Sequence, residues 1–281
     1  MGVTVVTGAG GLLGRTVAEL LASSEDVRAL THAQLDVSDA AAVNAAFREA
    51  RPDFVVHCAA MTNVDACERE PDRAWSVNAD GPGFVAAAAA EAGAEIVAVS
   101  TDYVFDGEKG AYVETDEPHP VQVYGRAKLA GEDRVREANP RHFIVRSAWI
   151  FGPSGHNFLS QLPRLARESH ELKVLGDQWS SPTYAPDLAR AIAGVRGTER
   201  YGTYHVINAG GCSHAQFFRH GLEILGSRVP LIELATSDLP RPARRPRNST
   251  LVGEAWAAAG FVPLRSWQEA ARAFLTDPPN A

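Results

Sequence analysis

The chain has 281 residues, 45% hydrophobic and 22% charged, an ordinary globular mixture able to bury a sizeable core in one large domain or two that share a boundary. A net charge of −7 argues against nucleic acid as a partner. The one dense basic run, Arg241 to Arg247, sits among Pro240, Pro242 and Pro246 and reads as a loop.

The N-terminus moves directly into strand-like sequence, with no basic leader or small-residue cleavage site. Val3–Thr7 is a strand candidate, followed by glycines and a helix from about Leu12 to Ala22. Val27–Leu30 is a weaker second strand, and Leu35–Val37 is a candidate third. A helix from about Asp39 to Ala50 follows, capped by Ser38 or Asp39. Asp53–Cys58 is a continuous apolar strand, a helix spans about Pro82 to Ala92, and Glu95–Ser100 is another buried strand. After about Ala148 the texture becomes irregular, with helical pattern returning at Asp187–Val195 and His214–Leu225.

Strands without polar alternation, separated by helices, indicate an α/β fold: a Rossmann-like, doubly wound parallel sheet. Residues 1–148 are expected to form the dinucleotide-binding domain. Residues 149–281 are expected to form mainly a smaller, C-terminal substrate-binding domain, partly interleaved with the first. Cys58, Cys67 and Cys212 show no CxxC or Cys/His ligand spacing, Cys58 reads as a small buried hydrophobe, and no metal is expected. Low cysteine use points to a reducing compartment. The longest apolar stretch, Phe84–Ala90, is too short to span a bilayer, so the expectation is a cytoplasmic protein with no membrane partner.

Gly8, Gly11 and Gly14 are spaced GxxGxxG between the first strand and the first helix. In a dinucleotide site one glycine permits the turn, one lets backbone approach a pyrophosphate, and one lets helix and strand pack closely. The helix N-terminus adds free N–H groups and positive potential. An NAD site usually carries an acid at the end of the second strand, but the sequence there is Ala29-Leu30-Thr31-His32. That leaves room for a 2′-phosphate near Arg15 or His32. NADPH is the expected cofactor, with NADH also admitted.

Tyr124 and Lys128 are spaced YxxxK, which on a helix places both on one face. A lysine there favours tyrosinate and lowers the phenol pKa, so that the tyrosine exchanges a proton with a carbonyl or alcohol. Alone this spacing is weak. It gains weight from the glycine turn upstream and from Ser100-Thr101, whose hydroxyls emerge at the carboxyl edge of the sheet, where open α/β folds bind ligands.

With these residues in view, the chain resembles the extended short-chain dehydrogenase/reductase family, and within it the reductases of nucleotide-linked 4-keto-6-deoxysugars. The resemblance runs in order through His57–Asp65, Val77-Asn78-Ala79, Ser100–Gly107, Tyr124–Glu132, Val145–Trp149, Asn157-Phe158, Asp177-Gln178, Pro182-Thr183-Tyr184 and Pro242–Pro246. It implies that Tyr124 is the general acid, that Lys128 tunes it and binds the ribose, and that Thr101 hydrogen-bonds the 4-keto oxygen. It implies cofactor contacts at Gly8, Gly11, Leu12, Leu13, Gly14, Asp36, Val37, Ala59, Ala60, Met61, Thr62 and Val99. It places Thr101, Asp102, Tyr103, Trp149 and Asn157 at the substrate, a nucleotide sugar. The implied reaction takes dTDP-4-dehydrorhamnose to dTDP-L-rhamnose, or yields a related deoxysugar, and a homodimer is left open.

The chain departs from the family pattern at Cys58, where asparagine is usual. It also departs at Arg15-Thr16, where some relatives carry an acid for a Mg²⁺-bridged dimer. Two other readings stand beside the reductase. One is an NDP-sugar epimerase or dehydratase, although a dehydratase needs a glutamate where Tyr103 stands. The other is a non-catalytic, cofactor-binding regulatory subunit, which Tyr124, Lys128 and Thr101 together argue against.

Overall fold

The computed structural model describes residues 2–155, 157 and 159–276. In chain order the first half comprises β1 (Val3–Thr7), α1 (Leu12–Leu21), β2 (Asp26–Leu30), α2 (Ala40–Ala50), β3 (Phe54–His57), α3 (Val64–Arg69), α4 (Pro71–Trp75), α5 (Gly81–Glu91), β4 (Glu95–Thr101), α6 (Val123–Ala138) and β5 (His142–Ser147). The second half comprises β6 (Ile150–Phe151), α7 (Leu162–Glu168), β7 (Leu172–Leu175), β8 (Trp179–Ser180), β9 (Thr183–Tyr184), α8 (Ala185–Gly194) and β10 (Gly202–His205). It closes with β11 (Asn208–Ala209), β12 (Cys212–Ser213), α9 (His214–Ile224), β13 (Leu231–Leu234), α10 (Glu254–Ala258), β14 (Leu264–Ser266) and α11 (Trp267–Thr276).

Six strands form one parallel sheet in the order β2-β1-β3-β4-β5-β10. Their side chains alternate between two cores, as the two-residue period of a strand requires. Val6, Val56, Val97, Phe143 and Val145 pack on one face against Leu13 and Val17 of α1 and Leu188 and Ile192 of α8. Val5, Val55, Ile96, Ala98 and Ile144 pack on the other against Phe47 of α2, Val85 of α5 and Val135 of α6. Burial on both faces explains why these strands lack polar alternation.

The order reverses around β1, so a crevice opens beyond the carboxyl ends of β1 and β3, the switch point where such sheets bind ligands. Beyond Trp149 the chain returns to this layer twice, with α8 beside α1 and β10 on the edge beside β5. The rest of the second half gathers around Phe151, Leu162, Phe217, Trp267 and Phe274, with four two-stranded pairs at its margins.

Two local expectations resolve differently from one another. Asp39 caps α2, its carboxylate accepting from Ala41 N at 2.9 Å and Ala42 N at 3.1 Å. Leu35–Val37 forms no strand. Leu35 and Val37 are buried, but Asp36 between them accepts from Ser38 N and Oγ, and this side-chain turn ends any extended run. Alternating burial of two anchors imitates a strand in sequence. Cys58 is half-buried against the core, and burial pushes its thiol up to about 12, as an inert hydrophobe requires.

Candidate active site

The glycine turn is built by close backbone contacts. Gly8 adopts φ +69° and lies against Cys58 and Ala59, the loop that leaves β3. A Cβ on Gly14 would stand 2.3 Å from Gly8 O, so the start of α1 can rest on the turn only without a side chain there. Gly14→Ala is expected to cost at least about 1–3 kcal/mol by overpacking two backbones. Urea denaturation measures the loss, and an unchanged midpoint would contradict the contact.

Gly11 is the N-cap of α1, and no side chain caps the helix. Its first N–H groups are therefore left to an outside acceptor beside exposed Gly10 and Gly11, which fits a pyrophosphate. Leu13 and Val37 turn their side chains into the two cores, which leaves their backbone for any ligand contact. Asp36 is exposed, and Ser38 holds its carboxyl below the usual carboxylate range by two hydrogen bonds. Arg15 and His32 are exposed as well.

The loop after β3 forms the opposite wall. Ala59, Ala60 and Met61 are half-buried and Thr62 is exposed. Asn78 holds this loop by a two-way pair: Met61 N donates to its Oδ1 at 2.8 Å and its Nδ2 donates to Met61 O at 2.9 Å. Asn78 sits in a π-helical turn, Ser76–Asp80, a local geometry frequent at functional sites.

Thr101 ends β4, and Tyr124 lies in the first turn of α6. Gly125 brings them together, because a Cβ there would be 2.0 Å from Tyr103 O, so α6 rests directly on the turn after Thr101. The Thr101 side chain lies near enough to the Tyr124 phenol to influence its titration. Lys128, one turn along α6, is buried and donates from Nζ to Val99 O at 2.7 Å. The spacing argument expects Lys128 to lower the Tyr124 pKa. Here burial dominates and pushes the phenol up, opposed by the nearby Thr101 hydroxyl and reinforced by the charge of Asp102. Burial also pulls Lys128 down to about 8, against the charge of Glu132.

Glu132 anchors this arrangement from below. Its buried carboxylate accepts from Ser100 Oγ at 2.6 Å, from Arg146 Nε at 2.9 Å and Nη2 at 2.7 Å, and from Arg136 at 2.8 Å. It thereby ties α6 to β4 and β5.

On the substrate side the placements are mixed. Asp102 is buried, and three hydroxyls surround its carboxyl: Thr101, Ser180 and Ser249. Tyr103 is half-buried, its ring set edge-on to Tyr124 at 6.1 Å. Trp149 carries φ +39°, rare for a bulky residue, and stacks on His214 with centroids 3.7 Å apart. His214 opens α9, which Ser213 and Gln216 start with a capping box. The amide of Asn157 is spent on its own loop, donating to Gly152 O at 2.7 Å and accepting from Leu159 N and Ser160 N. Phe158, beside it in the resemblance, lies outside the described residues.

The basic segment 240–251 is an irregular strap across these parts. Ala243 N and Arg245 bind Asp65, Asn248 N donates to Gly107 O, and Ser249 reaches Asp102. Asn78 and Glu132 belong to segments that carry the resemblance, yet sequence alone assigned them no task. For Asn78 the available signal was a lone amide between Val77 and Ala79, whereas Glu132, beside Asp133 and Arg134, offered none. His214, Ser180 and Ser249 carried none.

The family model of the RmlD substrate binding domain matches residues 2–278. A dTDP-4-dehydrorhamnose reductase of Mycobacterium tuberculosis is 40% identical over 290 residues, covering 99% of this chain and 93% of that protein. Among solved structures, a dTDP-4-dehydrorhamnose reductase from Clostridium acetobutylicum superposes with a TM-score of 0.94 at 40% identity, covering 98% of this chain and 99% of the other. One from Bacillus anthracis, in complex with NADP, gives 0.95 at 36% identity with the same coverage.

Proposed function

The chain belongs to the RmlD substrate binding domain family, and on that premise we propose that it reduces the 4-keto group of a dTDP-linked 6-deoxysugar with NADPH, dTDP-4-dehydrorhamnose being the expected substrate. One observation carries the reading to chemistry. Tyr124 at the start of α6 is brought to Thr101 at the carboxyl end of β4, because Gly125 lets α6 rest on the turn after Thr101, next to the crevice beyond β1 and β3.

Bound NADPH supplies the hydride that C4 receives. The uncapped start of α1 and the glycine turn would hold its pyrophosphate, the loop from Ala59 to Thr62 would flank it, and Val99 and Lys128 would meet the ribose end. The absence of an acid at the end of β2 supports a 2′-phosphate there.

Tyr124 is the proton donor. Burial keeps its phenol protonated through the neutral range, so the hydrogen is present when the C4 oxygen gains charge. Thr101, near the phenol at the end of β4, would stand beside the carbonyl. Lys128, one turn away on the same face of α6, opposes the negative charge left on the tyrosine. Trp149, propped on His214, forms a wall for the sugar.

The test is a panel of 4-keto nucleotide sugars with NADPH consumption followed optically. The expected result is turnover of dTDP-4-dehydrorhamnose with one NADPH oxidised per sugar. Conversion of a sugar nucleotide with no net cofactor use would overturn the reading in favour of an epimerase.

A further inference from the structure

Ser147 closes β5 and is 3% exposed, yet among the described residues its Oγ is the one buried hydroxyl without a hydrogen-bond partner. The buried hydroxyls of the neighbouring segments are engaged. Ser100 donates to Glu132 at 2.6 Å, Ser180 donates to Asp102 at 2.8 Å, and Thr101 accepts from Tyr103 N at 3.1 Å. A hydroxyl taken out of water with no partner costs free energy, and an alanine would pack in the same place without that cost. Such an oxygen calls for a partner from outside the chain.

Ser147 stands directly opposite Thr101 in the parallel pairing of β4 and β5. Along these strands Val97 and Val145 enter the core under α1 and α8, whereas Ala98 and Ile144 enter the other. The two-residue period carries Val99, Thr101 and Ser147 onto the α1 side. Ser100 and Arg146, of the opposite phase, turn to Glu132 on α6 as that period requires. A Cβ on Gly152 would stand 3.6 Å from Leu12 Cδ2, so the chain leaving Ser147 runs past the first residue of α1. The orphaned hydroxyl therefore lies at the carboxyl edge of the sheet, beside Thr101 and on the face from which α1 begins.

We propose that Ser147 Oγ is the side-chain partner of the nicotinamide carboxamide and holds the ring against turning about its glycosidic bond. This rests on the reading of NADPH as the cofactor. That reading puts the pyrophosphate at the start of α1 and the ribose at Val99 and Lys128, which brings the nicotinamide to this edge of the sheet. The polar substituent of the ring is a carboxamide, with N–H donors and a carbonyl acceptor, and a hydroxyl can meet either. Trp149, Tyr103 and the strap, which surround the sugar, belong to segments beyond the strand ends. Ser147, like Val99, belongs to the strands themselves, the floor that the cofactor covers. A ring held in one rotation keeps one face toward the sugar, so the hydroxyl contributes to the placement of the hydride.

The experiment is a fluorescence or calorimetric titration of the full chain with two ligands, NADPH and 2′-phospho-ADP-ribose, which lacks the nicotinamide. Ser147→Ala is expected to weaken NADPH about fivefold to tenfold, the worth of one neutral hydrogen bond. It is expected to leave 2′-phospho-ADP-ribose within about twofold. The ligand-free variant should unfold in urea at the wild-type midpoint or above it, because the hydroxyl has no partner in the chain to lose. Ser147→Cys, similar in shape and a weak donor, should show the same loss and serves if the alanine variant does not fold. The proposal is overturned if both variants bind NADPH as the wild type does, or if both ligands weaken equally, which would mark a general distortion. A clearly lowered midpoint would also overturn it, by revealing a partner within the chain. Unchanged NADPH binding with a raised KM for dTDP-4-dehydrorhamnose would assign the hydroxyl to the sugar instead. The cofactor reading fails separately, if the wild type binds neither ligand.

Discussion

Tyr124→Phe is expected to lower kcat by about 100- to 10,000-fold, the usual contribution of a placed general acid. That corresponds to about 3–5 kcal/mol of transition-state stabilisation. The ring remains, so its edge-on contact with Tyr103 and the packing at the start of α6 are kept, and the fold should not change. Binding of NADPH, read by fluorescence titration, should stay within about twofold, because the hydroxyl acts on the developing alkoxide and not on the ground state. A loss of less than tenfold in kcat, with normal cofactor binding, would mean that another group delivers the proton. The phenol is pushed up by burial, so its ionisation contributes no pH dependence near neutrality.

Glu132→Ala should cost about 3–5 kcal/mol of stability, the range for breaking a buried ion pair from one side. Arg146 is 3% exposed at its side chain and Glu132 2%, so neither can turn to water when the other is removed. Ser100 would lose its acceptor in the same step, and β4 would be disturbed one residue before Thr101. Chemical denaturation measures the stability, and kcat should fall alongside it. The pH dependence has a definite sign. Burial tends to raise the Glu132 pKa, but the charge and hydrogen bonds of Arg146, with the Ser100 hydrogen bond and the charge of Arg136, together outweigh it, and the folded value lies below the usual carboxylate range. The contribution is therefore complete above the unfolded pKa of about 4.3 and disappears as pH falls through the folded value. The gap between wild type and Glu132→Gln should be widest near neutrality and close in acid. A gap that does not change with pH would show that the charge is not what stabilises this corner.

The two substitutions test different levels of the same construction. In the proposed reaction Tyr124 presents a hydrogen to the substrate. Glu132 fixes the helix that carries Tyr124 against the strand that carries Thr101. Loss of the first should leave a stable, cofactor-binding protein. Loss of the second should weaken both stability and turnover.

The sequence by itself determined what short-range rules govern. Strand and helix alternation follows from short continuous apolar runs set between helical stretches, the glycine turn from the spacings within Gly8–Gly14, and the shared face of Tyr124 and Lys128 from one helical turn. A local rule also misled where its signal was short, since the buried pair Leu35 and Val37 imitates a strand that the turn at Asp36 forbids. Only the tertiary structure decided the state of the groups in the site. Lys128 is directed to Val99 O, 29 residues earlier in the chain, and burial reverses the expected pull on the Tyr124 pKa. Ser180 and Ser249, which hold Asp102, lie 78 and 147 residues beyond it, and His214 supports Trp149 from the start of a distant helix. Such contacts depend on how whole elements pack, and desolvation depends on everything that surrounds a group. Neither leaves a mark in the spacing of neighbouring residues, so the place of Tyr124 beside Lys128 could be read from sequence, but the burial that governs its phenol could not.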